Sequence, residues 1–233
     1  MRASVVIALL LSSFLAILFA SPASPREARL AGEAMRGPGA ALRTRIERVR
    51  GHLAEDPEGA RAGADELLWA LRPRLGDPDE LLEPDTVLSA ARDIAAIRVD
   101  AVMATLEPLN GTRRDFLRSV AGEATVNDWR WGVPTSITLA QAILESSWGK
   151  AAPGHNLFGL KGQGPAGSIQ RRVVEYRRGR RTRPMASFRL YNDAAEAIAD
   201  HGEIVGTGRR YARARAAGED VAGFASGLVG VYA

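Results

Sequence analysis

Cysteine is absent from this chain of 233 residues, so no disulfide can stabilise it and its stability must come from its core alone. Hydrophobic residues make up 46% of the sequence, which is enough for such a core. Histidine is also scarce: His52, His155 and His201 are the only ones, and no spacing among them is typical of a zinc site. The sequence therefore predicts neither a metal nor a cofactor.

Long apolar runs are missing as well, except at the start of the chain. Arg2 is followed by an almost wholly apolar run of 16 residues from Val5 to Ala20, and then by small and turn-forming residues. This order is typical of a secretory signal peptide, which we place at residues 1–23, and the run is shorter than the roughly 20 residues that span a bilayer. An uncleaved membrane anchor is the alternative, and it would be the chain's only contact with a membrane. Both interpretations predict export to the periplasm, the cell envelope or the extracellular space.

Lysine is nearly absent, so the net charge of +4 depends on arginine. The segment from Arg171 to Arg183 contains seven arginines and a single acid, Glu175. Such a patch could bind nucleic acid, anionic lipid or an anionic wall polymer. For an exported chain we expect the wall polymer and no nucleic acid. The alternative is the solvated tip of a hairpin.

The chain divides into two regions after the signal segment. Residues 24–110 begin with a linker rich in Ala, Pro and Gly, and then show apolar stripes at helical spacing, such as Leu42, Ile46 and Val49. No motif there indicates chemistry, so we interpret the region as a linker and a helical bundle or spacer. Residues 111–233 predict a second domain. It contains a helix over 135–148, a β-hairpin of residues 171–176 and 185–191, and a helix capped by Asp193 and Glu196.

The stretch 138–162 contains a candidate catalytic carboxylate, Glu145, in the last turn of the predicted helix. Gly149 is the expected helix stop, so Glu145 lies near the negative end of the helix dipole. That position, and burial beside Trp148 on the same helical face, are expected to raise the pKa of Glu145 above the about 4.3 of a free glutamate. A protonated carboxyl suits glycosidic cleavage, because the leaving oxygen must be protonated as the sugar ring gains oxocarbenium character. An ordinary exposed helix glutamate is the alternative.

The loop after Gly149 adds groups that can hold a sugar. Asn156 offers an amide, Phe158 an aromatic ring and Lys161 an ammonium group. Each has a structural alternative: Trp148 and Phe158 can belong to the core, Asn156 can bond the loop backbone, and Lys161 can hold the loop.

Two runs in this stretch resemble closely the peptidoglycan N-acetylglucosaminidases of glycoside hydrolase family 73. They are Ala140-Gln-Ala-Ile-Leu-Glu145-Ser-Ser-Trp148-Gly and Gly154-His-Asn-Leu-Phe-Gly-Leu-Lys161-Gly. Three shorter segments also resemble this family: Trp131-Gly-Val-Pro134-Thr-Ser, Glu175-Tyr176 and Phe188-Arg-Leu-Tyr191. The resemblance covers roughly residues 112–233.

The resemblance implies a mainly α (α+β), lysozyme-like catalytic domain with a small β-hairpin lobe over a cleft, preceded here by the helical N-terminal region. It implies that Glu145 is the general acid and that Glu175 matches the family's less settled second carboxylate. A positioned water, the substrate's own N-acetyl oxygen, or Asp128 as a weaker candidate are alternatives, and Glu175 could instead pair with neighbouring arginines. The predicted substrate-binding residues are Trp148, Asn156, Phe158, Lys161, Tyr191 and Tyr232.

One feature departs from the family. Its members continue with a Tyr-Ala-Thr-Asp-Pro motif and a final helix, whereas this sequence matches the motif only through Tyr232-Ala233. We therefore expect the domain to lack its C-terminal end.

These observations together predict an exported peptidoglycan hydrolase that cleaves the N-acetylglucosaminyl β-1,4 bond of glycan strands. A non-catalytic wall-binding module, which would hold glycan without cutting it, is one alternative. A lytic transglycosylase, which would leave anhydro-sugar ends, is the other.

Overall fold

The computed structural model describes residues 39–76, 83–105, 111–177 and 180–232. The predicted signal peptide, residues 1–23, and the linker up to residue 38 lie outside the described residues. The α-helices of the described part are α1 (Gly39–His52), α2 (Pro57–Leu71), α3 (Pro84–Thr105), α4 (Gly111–Trp131), α5 (Thr135–Ser146), α6 (Ala194–Thr207), α7 (Ala212–Arg215) and α8 (Val221–Leu228). The strands are β1 (Ser168–Arg172), β2 (Glu175–Arg177), β3 (Arg180–Thr182) and β4 (Met185–Arg189). The predicted mainly α fold with a small β-lobe is confirmed.

Helices α1 to α3 pack around their own apolar cluster. The carboxylate of Asp56 starts α2 by accepting a hydrogen bond from the backbone N–H of Gly59 (2.9 Å), with Pro57 in the first helical turn. Ile46, Leu71 and Ile94 bring the three helices together in this cluster. A buried ion pair between Asp65 and Arg98 also joins α2 to α3.

Helix α5 is the central element of the second half of the chain. Nine of its twelve residues are buried. Leu139 and Ile143 pack in one cluster with residues of α3, α4 and α6, and Ile137 packs in another with residues of α6 to α8. Glu145 is the only exposed residue of α5, and its side chain is still partly buried. The fold therefore surrounds one helix and leaves a single carboxylate of it at the surface.

The β-lobe is an antiparallel hairpin made of two successive pairs of strands. Strands β1 and β4 pair in a register that places Ser168 opposite Arg189, and β2 and β3 pair with Glu175 opposite Thr182. The backbone N–H of Val173 donates to the carbonyl of Pro184 (3.0 Å), which joins the two pairs. The predicted hairpin is therefore confirmed, and it begins earlier than expected, at residue 168.

The end of α5 differs from the prediction, because the helix stops at Ser146 rather than at residue 148. Ser147, Trp148 and Gly149 all have positive φ angles, of 51°, 62° and 78°. The buried hydroxyl of Ser146 accepts a hydrogen bond from the N–H of Gly149 (2.7 Å), and the N–H of Trp148 donates to the carbonyl of Ile143 (3.1 Å). These bonds satisfy backbone groups that the helix end would otherwise leave unpaired.

No helix within residues 39–76, 83–105, 111–177 and 180–232 is both long enough and apolar enough to cross a bilayer.

Candidate active site

Glu145 lies in the last turn of α5, as predicted. Partial burial raises the pKa of its carboxyl above the ordinary value of 4.5. No hydrogen bond or ion pair to this carboxyl comes from the described residues, so nothing there compensates for the lost solvation of its charged form. A carboxyl of this kind keeps its proton at a higher pH than a free glutamate does, which is what a proton donor needs.

Trp148 does not lie on the helical face of Glu145, because the chain leaves the helix before it. Its ring packs edge-on against Phe116 of α4, with ring centres 6.1 Å apart, and the guanidinium of Arg113 lies 5.1 Å from its centre. The side chain is half-buried and borders the core cluster of α4 and α5. This geometry favours the packing role for Trp148, and the prediction that Trp148 shares a helical face with Glu145 is wrong.

Asn156 is almost fully buried and its amide bonds to the backbone. Its NH2 group donates to the carbonyls of Leu160 (2.9 Å) and Arg189 (3.0 Å), and its carbonyl oxygen accepts from the N–H of Leu160 (2.9 Å). Both donors are therefore used, and neither is left for a sugar. The geometry favours the alternative that Asn156 fixes the loop against β4.

Phe158 is 5% exposed and lies in the core. It stacks on the ring of His201, with centres 4.0 Å apart and planes 16° apart. A ring buried on both faces cannot serve as a platform for a sugar, so the predicted binding role of Phe158 is not supported and the core alternative is.

Lys161 and Glu175 belong to the β-lobe. Lys161 has an exposed side chain, and its backbone bridges to Phe188 and accepts a hydrogen bond from the Nε of Arg189 (3.2 Å). Glu175 lies opposite Thr182 in the outer pair of strands, and its side chain is outside the described residues. The roles of both residues stay predictions.

Tyr191 is buried, and its hydroxyl donates to Asp200 of α6 (2.5 Å). Asp200 also accepts two hydrogen bonds from Arg189, at 2.9 and 2.7 Å. Burial, and then the hydrogen bond and charge of Asp200, raise the pKa of the Tyr191 phenol. Tyr191 therefore anchors the end of β4 to α6, and its hydroxyl is already paired.

Tyr232 is close enough to Glu145 for the charge of the carboxylate to act on its phenol. Burial raises the pKa of its phenol, and the charge of Glu145 is the next largest cause. The hydroxyl oxygen is buried and bonds to none of the described residues. The ring meets His201 edge-on, with centres 5.9 Å apart. This proximity to Glu145 agrees with the predicted place of Tyr232 in the site. Its role in substrate binding stays a prediction.

Three polar residues near this site were not predicted: Thr138, Gln141 and His201. Thr138 and Gln141 precede Glu145 by seven and four residues, so all three share one face of α5. The Thr138 hydroxyl, the Gln141 carbonyl oxygen and both ring nitrogens of His201 are buried without a hydrogen-bond partner among the described residues. The spacing of Thr138, Gln141 and Glu145 is visible in the sequence, whereas nothing local distinguishes His201.

Asp128 lies at the opposite end of α5. Its carboxylate accepts hydrogen bonds from the N–H and the hydroxyl of Thr135, at 3.1 and 3.2 Å, and burial raises its pKa. Ten residues of helix separate Thr135 from Glu145, which is about 15 Å. Paired carboxylates of glycosidases are at most about 9.5 Å apart, so Asp128 is too distant to be the second catalytic group.

No group of three or more potential metal ligands comes together within the described ranges. The candidate site contains one carboxyl of raised pKa at the end of a buried helix. Together with the mainly α fold and its β-lobe, this arrangement is that of a glycoside hydrolase domain.

The comparison with known proteins agrees with this class. Residues 123–233 match the model of the glucosaminidase family, described as mannosyl-glycoprotein endo-beta-N-acetylglucosaminidase. The chain is similar to the peptidoglycan hydrolase FlgJ of Salmonella typhimurium, with 34% identity over 45% of this chain and 36% of that protein. It is also similar to the exo-glucosaminidase LytG of Bacillus subtilis, with 38% identity over 38% of this chain and 33% of that protein. The similar region thus spans about a third of the length of these curated relatives.

Among solved structures, the chain is similar to the catalytic domain of the autolysin Auto from Listeria monocytogenes. The identity is 28%, the match covers 57% of this chain and 82% of that chain, and the TM-score is 0.48.

Proposed function

We propose that this protein is a peptidoglycan hydrolase of the cell envelope that cleaves the N-acetylglucosaminyl β-1,4 bond, with Glu145 as the general acid. The main observation in support is the environment of Glu145. It is the only exposed residue of a buried helix, and the partial burial of its carboxyl raises the pKa of that group. The names of the two curated relatives, a peptidoglycan hydrolase and an exo-glucosaminidase, support the substrate class. The apolar segment from Val5 to Ala20 supports export.

In this mechanism Glu145 donates its proton to the leaving glycosidic oxygen while the sugar ring develops oxocarbenium character. The Tyr232 hydroxyl, buried and without a hydrogen-bond partner among the described residues, is the group proposed to bond this carboxyl. The second catalytic group is Glu175, a bound water or the substrate's N-acetyl oxygen.

The test is cell-wall digestion by the purified protein and by its Glu145→Gln variant. We expect the variant to lose at least about 10²-fold in rate, as for the removal of a general acid, while its thermal unfolding shows a native fold. Glu203→Gln, at an exposed position of α6, is the matched control and should digest walls normally. Normal digestion by Glu145→Gln would refute the assignment.

The products distinguish the alternatives. Mass spectrometry of released fragments should find reducing N-acetylglucosamine ends. Anhydro-sugar ends would indicate a lytic transglycosylase, and sedimentation with walls without any released ends would indicate a binding module. A Glu175→Gln variant measured in the same assay decides whether that carboxylate takes part, because loss of rate with an unchanged product would assign it to the reaction.

A further inference from the structure

A cavity of about 510 Å³ lies between the N-terminal helices and the glucosaminidase-family domain. Its walls come from α2 and α3 on one side, and from α4, the start of α5 and the segment around α8 on the other. Its volume falls within the range of about 300–1,000 Å³ that is typical of small-ligand sites. Thr135 lines it and Glu145 does not, and these residues are about 15 Å apart along α5. The cavity is therefore separate from the candidate active site.

Tryptophan side chains are concentrated around this cavity. The chain has four tryptophans, and Trp69, Trp129 and Trp131 line the cavity. All three are half-buried, so each keeps some exposed surface. A tryptophan offers a large flat apolar face and one N–H donor. Such faces suit the C–H surfaces of sugar rings.

The charges around the cavity are balanced. Three arginines and three carboxylates line it, and they are already paired. Arg98 pairs with Asp65, and Arg72 lies 3.6 Å from Asp128 and 3.8 Å from Glu219. Arg215 donates to two backbone carbonyls, at 2.9 and 2.7 Å. A charged ligand would have to disrupt these pairs, whereas a neutral ligand rich in hydroxyls can bond to them as they stand.

We propose that this cavity is a second saccharide site, which takes neutral N-acetylglucosamine units of a glycan strand away from the unit held at Glu145. The tryptophan faces pack against the sugar rings, and the outer edges of the Arg72–Asp128–Glu219 group bond their hydroxyls and amides. The N-terminal helices complete the site, since Trp69 and Arg72 come from α2 and its end. That the bound strand is wall glycan rests on the proposed function. That the ligand is a neutral saccharide is argued from the residues that line the cavity.

The test is binding of the β-1,4 tetramer of N-acetylglucosamine to the full chain carrying Glu145→Gln, which prevents turnover. Binding is measured by calorimetry and by quenching of tryptophan fluorescence. We expect Trp69→Ala to weaken binding about tenfold, as for a central aromatic contact. Trp69→Phe, which keeps a ring for packing, should reduce the quenching at an unchanged unfolding temperature, while Trp129 and Trp131 account for the quenching that remains. Arg130→Ala, at an exposed neighbour that does not line the cavity, is the matched control.

Several results would overturn the proposal. Equal affinity of Trp69→Ala and Arg130→Ala for the tetramer would do so. Quenching that disappears only with Trp148→Phe would also do so, because Trp148 lies three residues after Glu145 and does not line the cavity. Binding of a wall stem peptide without sugar, in place of the tetramer, would also refute a saccharide site. The proposed function is tested separately, by wall digestion with the parent and Glu145→Gln and by the ends of the released fragments.

Discussion

At the scale of single residues, Glu145 is exposed and yet has a raised pKa. Its ionised carboxylate therefore lowers the free energy of unfolding. The folded protein binds its proton more tightly than the unfolded chain does. Stability attributable to this group is therefore fully present below the unfolded value of about 4.5 and is lost as the pH rises through the folded pKa. Where the carboxyl is ionised, it has no partner among the described residues to offset its lost solvation.

We therefore expect Glu145→Gln to unfold at a higher temperature than the parent at pH 7, and at nearly the same temperature at pH 4. Thermal unfolding followed by circular dichroism at both pH values measures the difference. Glu203→Gln, whose side chain is exposed on α6, should show no such pH-dependent gain. An equal gain at pH 4 and pH 7 would mean that the carboxyl of Glu145 is not desolvated.

The pKa of His201 is shifted in the opposite direction from that of Glu145, so its effect on stability has the opposite pH dependence. It is fully buried with both ring nitrogens unpaired among the described residues, and burial lowers its pKa to about 3. A lowered pKa gives stability that is present above the unfolded value of 6.5 and is lost as the pH falls toward 3. We expect His201→Phe, which can still stack on Phe158, to flatten the pH dependence of the unfolding free energy between pH 6.5 and 4. Denaturant unfolding at a series of pH values measures it, and a slope unchanged from the parent would contradict the argument.

At the scale of elements, Asn156 connects the loop after α5 to the β-lobe. Its three hydrogen bonds join Leu160 in the loop and Arg189 on β4. Each such bond contributes about 1 kcal/mol, and unpaired buried backbone groups add to the loss. We expect Asn156→Ala to lower the free energy of unfolding by about 2–4 kcal/mol. Asn156→Asp, which keeps only the acceptor bond to the N–H of Leu160, should also be destabilising, and a fully stable Asn156→Ala would show that the loop does not depend on this amide.

The elements also show what a sequence can and cannot predict. The helix bearing Glu145 was predictable because Pro134 marks its start and apolar residues such as Ile137, Ala140 and Leu144 recur along it at helical spacing. Its end was not, because the stop depends on the Ser146 hydroxyl binding the N–H of Gly149 after a left-handed turn. Similarly, the pattern around Asn156 and Phe158 indicated a functional loop, but it could not separate sugar contacts from packing. The stacking of Phe158 on His201 joins residues 43 positions apart, which no local pattern reveals.

At the scale of the whole molecule, the apolar core crosses the sequence boundary predicted at residues 110 and 111. Val99, Val102 and Met103 of α3 belong to the same buried cluster as Leu117 of α4 and Leu139 of α5. In the other direction, Trp129 of α4 packs against the cluster of α1 to α3. The helical region without a recognisable motif is therefore part of the support for the helix that presents Glu145.

We accordingly expect a chain beginning at residue 111 to lose cooperative folding. Burying a side chain such as Val99 or Met103 contributes about 1.5–3 kcal/mol, so three of them exceed about 4 kcal/mol, a large part of the about 5–15 kcal/mol that stabilises a typical domain. Near-ultraviolet circular dichroism and the heat-capacity peak of unfolding should both be reduced or absent, while a chain beginning at residue 39 keeps them. A shortened chain that unfolds in one sharp transition at the parent's temperature would show that the glucosaminidase-family domain is stable alone, and that α3 is only packed against it.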